Sequence, residues 1–223
     1  MSASLIEGRK LLIAQLVEQR KKLKTFPIFF EHKTIFIMAV GVIIARIQPI
    51  HKGHLELIRQ ALNENENVLL LVGSADKLNK RNPIPIAMRL ELANKAIAEA
   101  FGDDAQRVVV KPLADLTDES DNSHDWGFYL YSHIVGYTKS PEFTIYYSDG
   151  FEIIMQWFPP FITRDFVSFK LNARGTIHNN LSATKVREMI LREDVDALRD
   201  AVPTCVLENA TILKHFIEAF KEV

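Results

Sequence analysis

Three short apolar runs, each separated from the next by a stretch of helical periodicity, constrain this chain more than any other feature. Residues 35–45 (IFIMAVGVIIA), 67–73 (NVLLLVG) and 107–113 (RVVVKPL) are almost continuous in Val, Ile and Leu, which is too apolar for strands with one wet face. Between them, 53–63 (GHLELIRQALN) places Leu55, Ile58 and Leu62 on one side of a helix, and 86–101 (IAMRLELANKAIAEAF) is a second helical pattern. Strand, helix, strand, helix, strand, with every strand buried on both faces, predicts a parallel sheet covered by helices on its two sides.

Further on, the sequence predicts a helix over 126–137, strands over FTIYYS and DFVSFKLN, and a helical C-terminal region opening at Thr184–Arg192 and ending in LENATILKHFIEAFKE. With right-handed crossovers, the expected fold is α/β: a Rossmann-like, doubly wound, parallel five-stranded sheet with helices on both faces. Residues 4–23 add an amphipathic N-terminal helix, with Leu5, Leu12, Leu16 and Val17 near helical spacing, and Pro27 breaks the pattern behind it. The division is therefore an N-terminal helical extension, residues 1–33, and one domain, residues 34–223. The extension is expected to pack on the domain; mediating self-association into a homo-oligomer and remaining partly mobile are the alternatives.

Composition removes several classes of partner. Among 223 residues, 27 Lys and Arg face 28 Asp and Glu, so no global basic field calls for nucleic acid or an anionic membrane, and any anion site must be local. The longest apolar run, 35–45, falls short of the roughly 20 residues that a membrane-spanning helix needs. Glu7, Arg9 and Lys10 interrupt any signal-like start, and the lone Cys205 forms no internal disulfide and suits packing in a reducing compartment. The expected location is the cytoplasm.

In open parallel sheets, ligands sit beyond the carboxyl ends of the strands. The loop after the first strand, Arg46-Ile47-Gln48-Pro49-Ile50-His51-Lys52-Gly53-His54, runs straight into a helix. Two imidazoles three residues apart, with a glycine between them and the free N–H groups of a helix start, suit phosphate oxygens. Capping or surface histidines are the ordinary alternative; a protein-held metal lacks further Cys, His or acidic partners nearby, so no metal-ligating residues are expected. Late in the chain, Ser182 can cap a helix whose first turn carries Thr184, Lys185 and Arg187, a hydroxyl and two cations for phosphates.

Taken together, His51-Lys52-Gly53-His54 and Leu181-Ser182-Ala183-Thr184-Lys185-Val186-Arg187 resemble the two marks of the nucleotidylyltransferase superfamily, HxGH and Ser-x-Thr-x-x-Arg. Within it, residues 40–206 are most similar to nicotinamide mononucleotide adenylyltransferases of the archaeal type and of the bacterial type fused to a Nudix hydrolase. Arg46 to His51 resembles that family's Arg-Phe-Gln-Pro-x-His. Gly73-Ser74-Ala75-Asp76-Lys77, with Arg81-Asn82-Pro83 and Arg89, resembles its second-strand loop, and Asp115, Asn122 and Trp126 its pyridine-holding stretch; Tyr147 to Gly150 and Trp157 to Pro159 echo it more loosely. Ala45, Ile47 and Ile84-Pro85 depart from its glycine, phenylalanine and Phe-Thr. No Nudix box occurs, so adenylyl transfer alone is expected.

The resemblance implies an enzyme that joins a nicotinamide or nicotinate mononucleotide to the AMP part of ATP, giving NAD or deamido-NAD and pyrophosphate, with Mg²⁺ accompanying ATP. His51, His54, Arg46 and Arg187 are then the catalytic candidates. Gln48, Gly53, Ser182, Thr184, Lys185 and Arg89 are the ATP and phosphate candidates; Gly73, Ser74, Lys77, Asn82, Asn122 and Trp126 are those for the mononucleotide. The rivals are a pantetheine-phosphate or cytidylyl transferase, a non-catalytic nucleotide sensor on the same fold, and a fragment of a class I aminoacyl-tRNA synthetase. The last has no Lys-Met-Ser-Lys-Ser-like loop to support it.

Overall fold

The computed structural model describes residues 39–118, 120–172 and 181–220. The expected extension over residues 1–33 and the start of the 35–45 run lie outside these. Five strands, β1 (Val40–Ala45), β2 (Asn67–Val72), β3 (Val108–Pro112), β4 (Phe143–Ser148) and β5 (Val167–Asn172), form one sheet in the order β3-β2-β1-β4-β5. Every pairing is parallel. This is the doubly wound sheet expected from the sequence, and its order reverses at β1, so a crevice opens between the carboxyl ends of β1 and β4.

Alternation along the strands feeds two cores. Ile43, Leu70 and Tyr146 pack on one side against α1 (Lys52–Glu64) and α2 (Ile86–Phe101), joined by α6 (Ala183–Arg192), α7 (Val195–Ala201), α8 (Thr204–Glu208) and α9 (Ala210–Glu218). Val42, Leu69, Leu71 and Ile145 face the other side, with α3 (His124–Thr138), α4 (Ile154–Trp157) and α5 (Pro160–Asp165). A run apolar at every position is what a strand buried on both faces requires.

The sequence places α2 and β4 at their observed ends, while α1 starts one residue earlier than expected and α3 two residues earlier, where Ser123 accepts the Trp126 N–H at 3.2 Å and caps the helix. The short helices α4 and α5 are not foreseen; with four and six residues they are too brief to show a helical period. Gly127 lets α3 and α4 touch: a Cβ there would stand 1.9 Å from the Trp157 carbonyl oxygen.

Candidate active site

The loops at the carboxyl ends of the strands enclose a cavity of about 580 Å³. Its walls come from both faces of the sheet. The β1 loop supplies Arg46, Ile47, Gln48 and His51, α1 supplies Gly53 and His54, and the start of α6 supplies Ser182, Thr184 and Arg187. From the β2 and β3 loops come Gly73, Ser74, Arg81, Asp115, Asp118, Asp121 and Asn122; Trp126 and Trp157 reach in from α3 and α4, with Phe151 between β4 and α4.

His51 is the N-cap of α1, and the two imidazoles stack with ring centroids 3.8 Å apart. A Cβ on Gly53 would press on the His51 ring at 3.1 Å, so this glycine makes room for the histidine itself. His54 Nδ1 accepts the His51 backbone N–H at 3.3 Å, which places the ring proton on Nε2 in the neutral form. Burial pushes the His54 pKa down to about 4, so at neutral pH the ring is an uncharged donor through Nε2.

Arg187 crosses from α6 to the β1 loop: Nη1 donates to the Gln48 carbonyl at 2.9 Å and Nη2 to Thr184 Oγ1 at 3.3 Å. Burial and the neighbouring Arg46 both lower its pKa. Glu188 opposes that shift, and two like charges held close in a cleft suit an anion, which relieves their repulsion. Ser182 caps α6 by accepting the Lys185 N–H, while the Lys185 side chain is exposed and away from the cavity wall.

Several expected ligand groups are placed elsewhere. Arg89, expected on phosphate, is fully buried beneath the cavity and donates to the carbonyls of Arg46, Gly73 and Ser74. The Gln48 side chain is 2% exposed and brackets the Ile84 backbone, accepting its N–H at 3.0 Å and donating to its carbonyl at 3.4 Å; the residue meets the cavity but its amide works inward. Asn82 is likewise buried, bonded to Asn79 where the β2 loop turns back, and Lys77 pairs with Asp76 at 3.0 Å off the cavity wall. Asn82 and Lys77, expected on the mononucleotide, thus lie off the cavity wall and make contacts within the β2 loop. Arg89 and Gln48 satisfy backbone while Asn82 and Lys77 satisfy neighbouring side chains, and sequence spacing does not tell these uses from ligand binding.

Asn122 lines the cavity, but its Oδ1 accepts Trp157 Nε1 at 2.8 Å and its Nδ2 donates to Ser120. It fixes an indole in the wall. Trp126 is 7% exposed, edge-on to Trp157 at 5.8 Å and stacked on Tyr129 at 5.5 Å, so it belongs at once to the core and to the wall. Phe151 stands edge-on to Trp157 at 5.5 Å and extends the aromatic corner. Ser74 Oγ donates to Asp115 Oδ1 at 3.2 Å, which joins the β2 and β3 loops.

Wall residues given no site role from the sequence include Phe151, Asp118 and Asp121, and also Arg81, Asp115 and Trp157, which entered only through the family resemblance. Their common signal is position: they follow the carboxyl ends of β2, β3 and β4. Among the described residues, no group of three or more His, Cys, Asp or Glu converges as a metal site, and no helix is long and apolar enough to cross a membrane.

With this geometry in hand, a cytidylyltransferase-like family model matches residues 43–189. The chain belongs to the cytidylyltransferase-like family. Its curated relatives include the nicotinamide-nucleotide adenylyltransferase of Caldivirga maquilingensis, 26% identical over 174 residues, covering 76% of this chain and 85% of that protein. That of Pyrobaculum aerophilum is 30% identical over 155 residues, covering 67% and 75%. Among solved structures, a bifunctional NMN adenylyltransferase/ADP ribose pyrophosphatase from Francisella tularensis, complexed with AMP and a manganese ion, superposes with a TM-score of 0.54 at 23% identity. That match covers 70% of this chain and 42% of the other, so the family member described here spans less than half of the bifunctional protein. The likeness bears out the resemblance carried by His51 to His54 and Leu181 to Arg187.

Proposed function

We propose that this family member is a nicotinamide-nucleotide adenylyltransferase. The observation that carries the reading is one cavity with two kinds of wall: stacked His51 and His54 beside Arg46 and Arg187, and an indole corner of Trp126 and Trp157. The first suits a triphosphate, the second a flat heteroaromatic ring.

In the proposed reaction, an oxygen of the mononucleotide 5′-phosphate attacks the α-phosphorus of ATP. The bond from that phosphorus to the α,β-bridging oxygen breaks, and pyrophosphate leaves. The attacking phosphate is already ionised at neutral pH, so no general base is needed and catalysis is positioning plus charge stabilisation. His54, neutral at pH 7, donates its Nε2–H to the oxygen on which charge builds. His51 is proposed as a second donor, and Arg187, held by the Gln48 carbonyl and Thr184, as the clamp on the outer phosphates with Arg46. Ser74 and Gly73, with Trp126 and Trp157, border the mononucleotide.

A divalent cation, proposed here as Mg²⁺, would arrive with ATP, be held by phosphate and water, and neutralise phosphate charge. We further place the reaction in the cytoplasm, with residues 34–223 as the transferase domain and ATP and the mononucleotide as its partners. The test is to incubate the protein with ATP, Mg²⁺ and, in parallel, nicotinamide mononucleotide, nicotinate mononucleotide or phosphopantetheine, and to separate the products. NAD or deamido-NAD is the expected product; dephospho-coenzyme A alone would replace the substrate, and no product in any tube would remove the activity.

A further inference from the structure

Arg89 heads the fully buried side chains of the described chain by volume, and it is a cation. It rises from the first turn of α2, and its Nη1 donates to the carbonyls of Arg46 at 2.9 Å and Gly73 at 2.8 Å; Nη2 donates to that of Ser74 at 3.0 Å. Arg46 directly follows β1, and Gly73 and Ser74 directly follow β2. One planar guanidinium thus ties together the carboxyl ends of two adjacent strands, at the points where two cavity loops begin. All three acceptors are neutral carbonyls, and Nε is buried with no partner. Burying a charge this way is costly, and an apolar side chain could fill the volume without that cost.

The peptides that Arg89 grips adjoin two unusual residues. Ile47 has φ 51° and Ser74 φ 48°, the left-handed region that residues with a Cβ, and β-branched ones above all, seldom adopt. A trans peptide carries its C=O and N–H on opposite sides, so with the Arg46 carbonyl turned down onto Arg89, the Ile47 N–H faces the other way. Both Ile47 and Ser74 line the cavity.

We propose that Arg89 is a positioning residue that fixes the separation and peptide orientation of the β1 and β2 loops, and so the distance between the proposed triphosphate and mononucleotide groups, without touching either. This rests on the proposed adenylyl transfer. Small displacements of reacting groups are expensive: about 1 Å can cost on the order of 10² in rate even from a remote substitution. Lysine at this position keeps the charge but lacks the planar fork: its one nitrogen can at most replace Nη1 on the Arg46 and Gly73 carbonyls, and the Ser74 carbonyl loses its Nη2 donor.

Arg89→Lys is therefore expected to lower kcat by about 30-fold to 100-fold while the KM for ATP and that for the mononucleotide each stay within about threefold. A rise of one KM by more than about tenfold with kcat retained would make Arg89 a direct phosphate ligand and overturn the proposal, as would unchanged kinetics. The parent protein supplies a second reading that survives if the variant does not fold. With ¹⁵N-labelled arginine, the Arg89 Nη–H protons should exchange slowly in the free protein and barely shift when α,β-methylene-ATP is added. Fast exchange, or a large shift on binding, would overturn the tie. If the parent makes no dinucleotide, the functional reading fails, and these resonances still decide whether Arg89 joins the loops.

Discussion

The two sides of the cavity are built by different means. On the side of α1 and α6, groups are set by long-range bonds to backbone: Arg187 to Gln48, Gln48 to Ile84, and Arg89 to Arg46, Gly73 and Ser74. On the side of α3 and α4, ring packing leads, joined by the Trp157 to Asn122 and Tyr129 to Ala114 hydrogen bonds, with the adjoining acidic loop held by local contacts such as Thr117 to Asp121 and Ser120 to Asp118. Arg46 and Arg187 lie on the first side together with Glu56 of α1, and Asp118 and Asp121 lie near the second. A ligand with anionic phosphates at one end and a flat ring at the other matches that division. The difference teaches that the proposed phosphate side rests on bonds to backbone, whereas the proposed ring side rests mainly on packed rings.

Substitutions on the two sides should consequently fail in different ways. The largest effect is expected from His54→Ala, a loss of about 10² to 10³ in kcat as one preorganised donor disappears, with the mononucleotide KM nearly unchanged. Steady-state kinetics checks it, and activity within a few-fold of the parent would remove His54 from the chemistry. Next comes Gly127→Ala. Its Cβ would overlap the Trp157 carbonyl, so α3 and α4 must separate, with about 1–3 kcal/mol of stability lost and a higher mononucleotide KM. Chemical denaturation and kinetics on the same sample test both parts; a normal KM would detach the aromatic corner from ring binding.

Trp126→Ala is expected to raise the mononucleotide KM by about 3-fold to 10-fold, the range of an aromatic contact, and to leave the KM for ATP within about twofold. Equal rises would return Trp126 to the core alone. A further effect is one of pH. His54 is held neutral by burial, so its folded-state pKa, about 4, lies below its ordinary 6.5. The unfolded chain then binds more protons between these values, and the stability linked to this ring is complete above pH 6.5 and lost as pH falls toward 4. In an NMR titration of the free protein, the His54 ring should show a midpoint near 4; a midpoint above 6 would contradict the neutral-donor role.

Much of this was legible in the sequence, for physical reasons that differ between the regions. Continuous Val, Ile and Leu runs announce a doubly covered parallel sheet, and the strand order and alternate burial of Val42 and Ile43 follow that reading. The phosphate side is legible because a helix start after a strand leaves its donors in one place, as at His51 to His54. Arg89, Asn82 and Gln48 were not legible as framework, because a buried arginine that satisfies carbonyls and an exposed one that binds phosphate share the same sequence context. Trp157 and Phe151 escaped for another reason: they sit in or beside a four-residue helix whose place in the wall depends on the close approach allowed by Gly127, a contact between distant segments.

The central claim is that the α-phosphorus of ATP is where the bond forms, and labelled ATP tests it most directly. ATP carrying radioactive phosphorus at the α position, and separately at the γ position, would be given to the protein with nicotinamide mononucleotide and Mg²⁺, with His54→Ala as the control. The account predicts α label in the dinucleotide and γ label in pyrophosphate, both strongly reduced in the control. Label from the γ position on the mononucleotide, or label released only as orthophosphate, would contradict it.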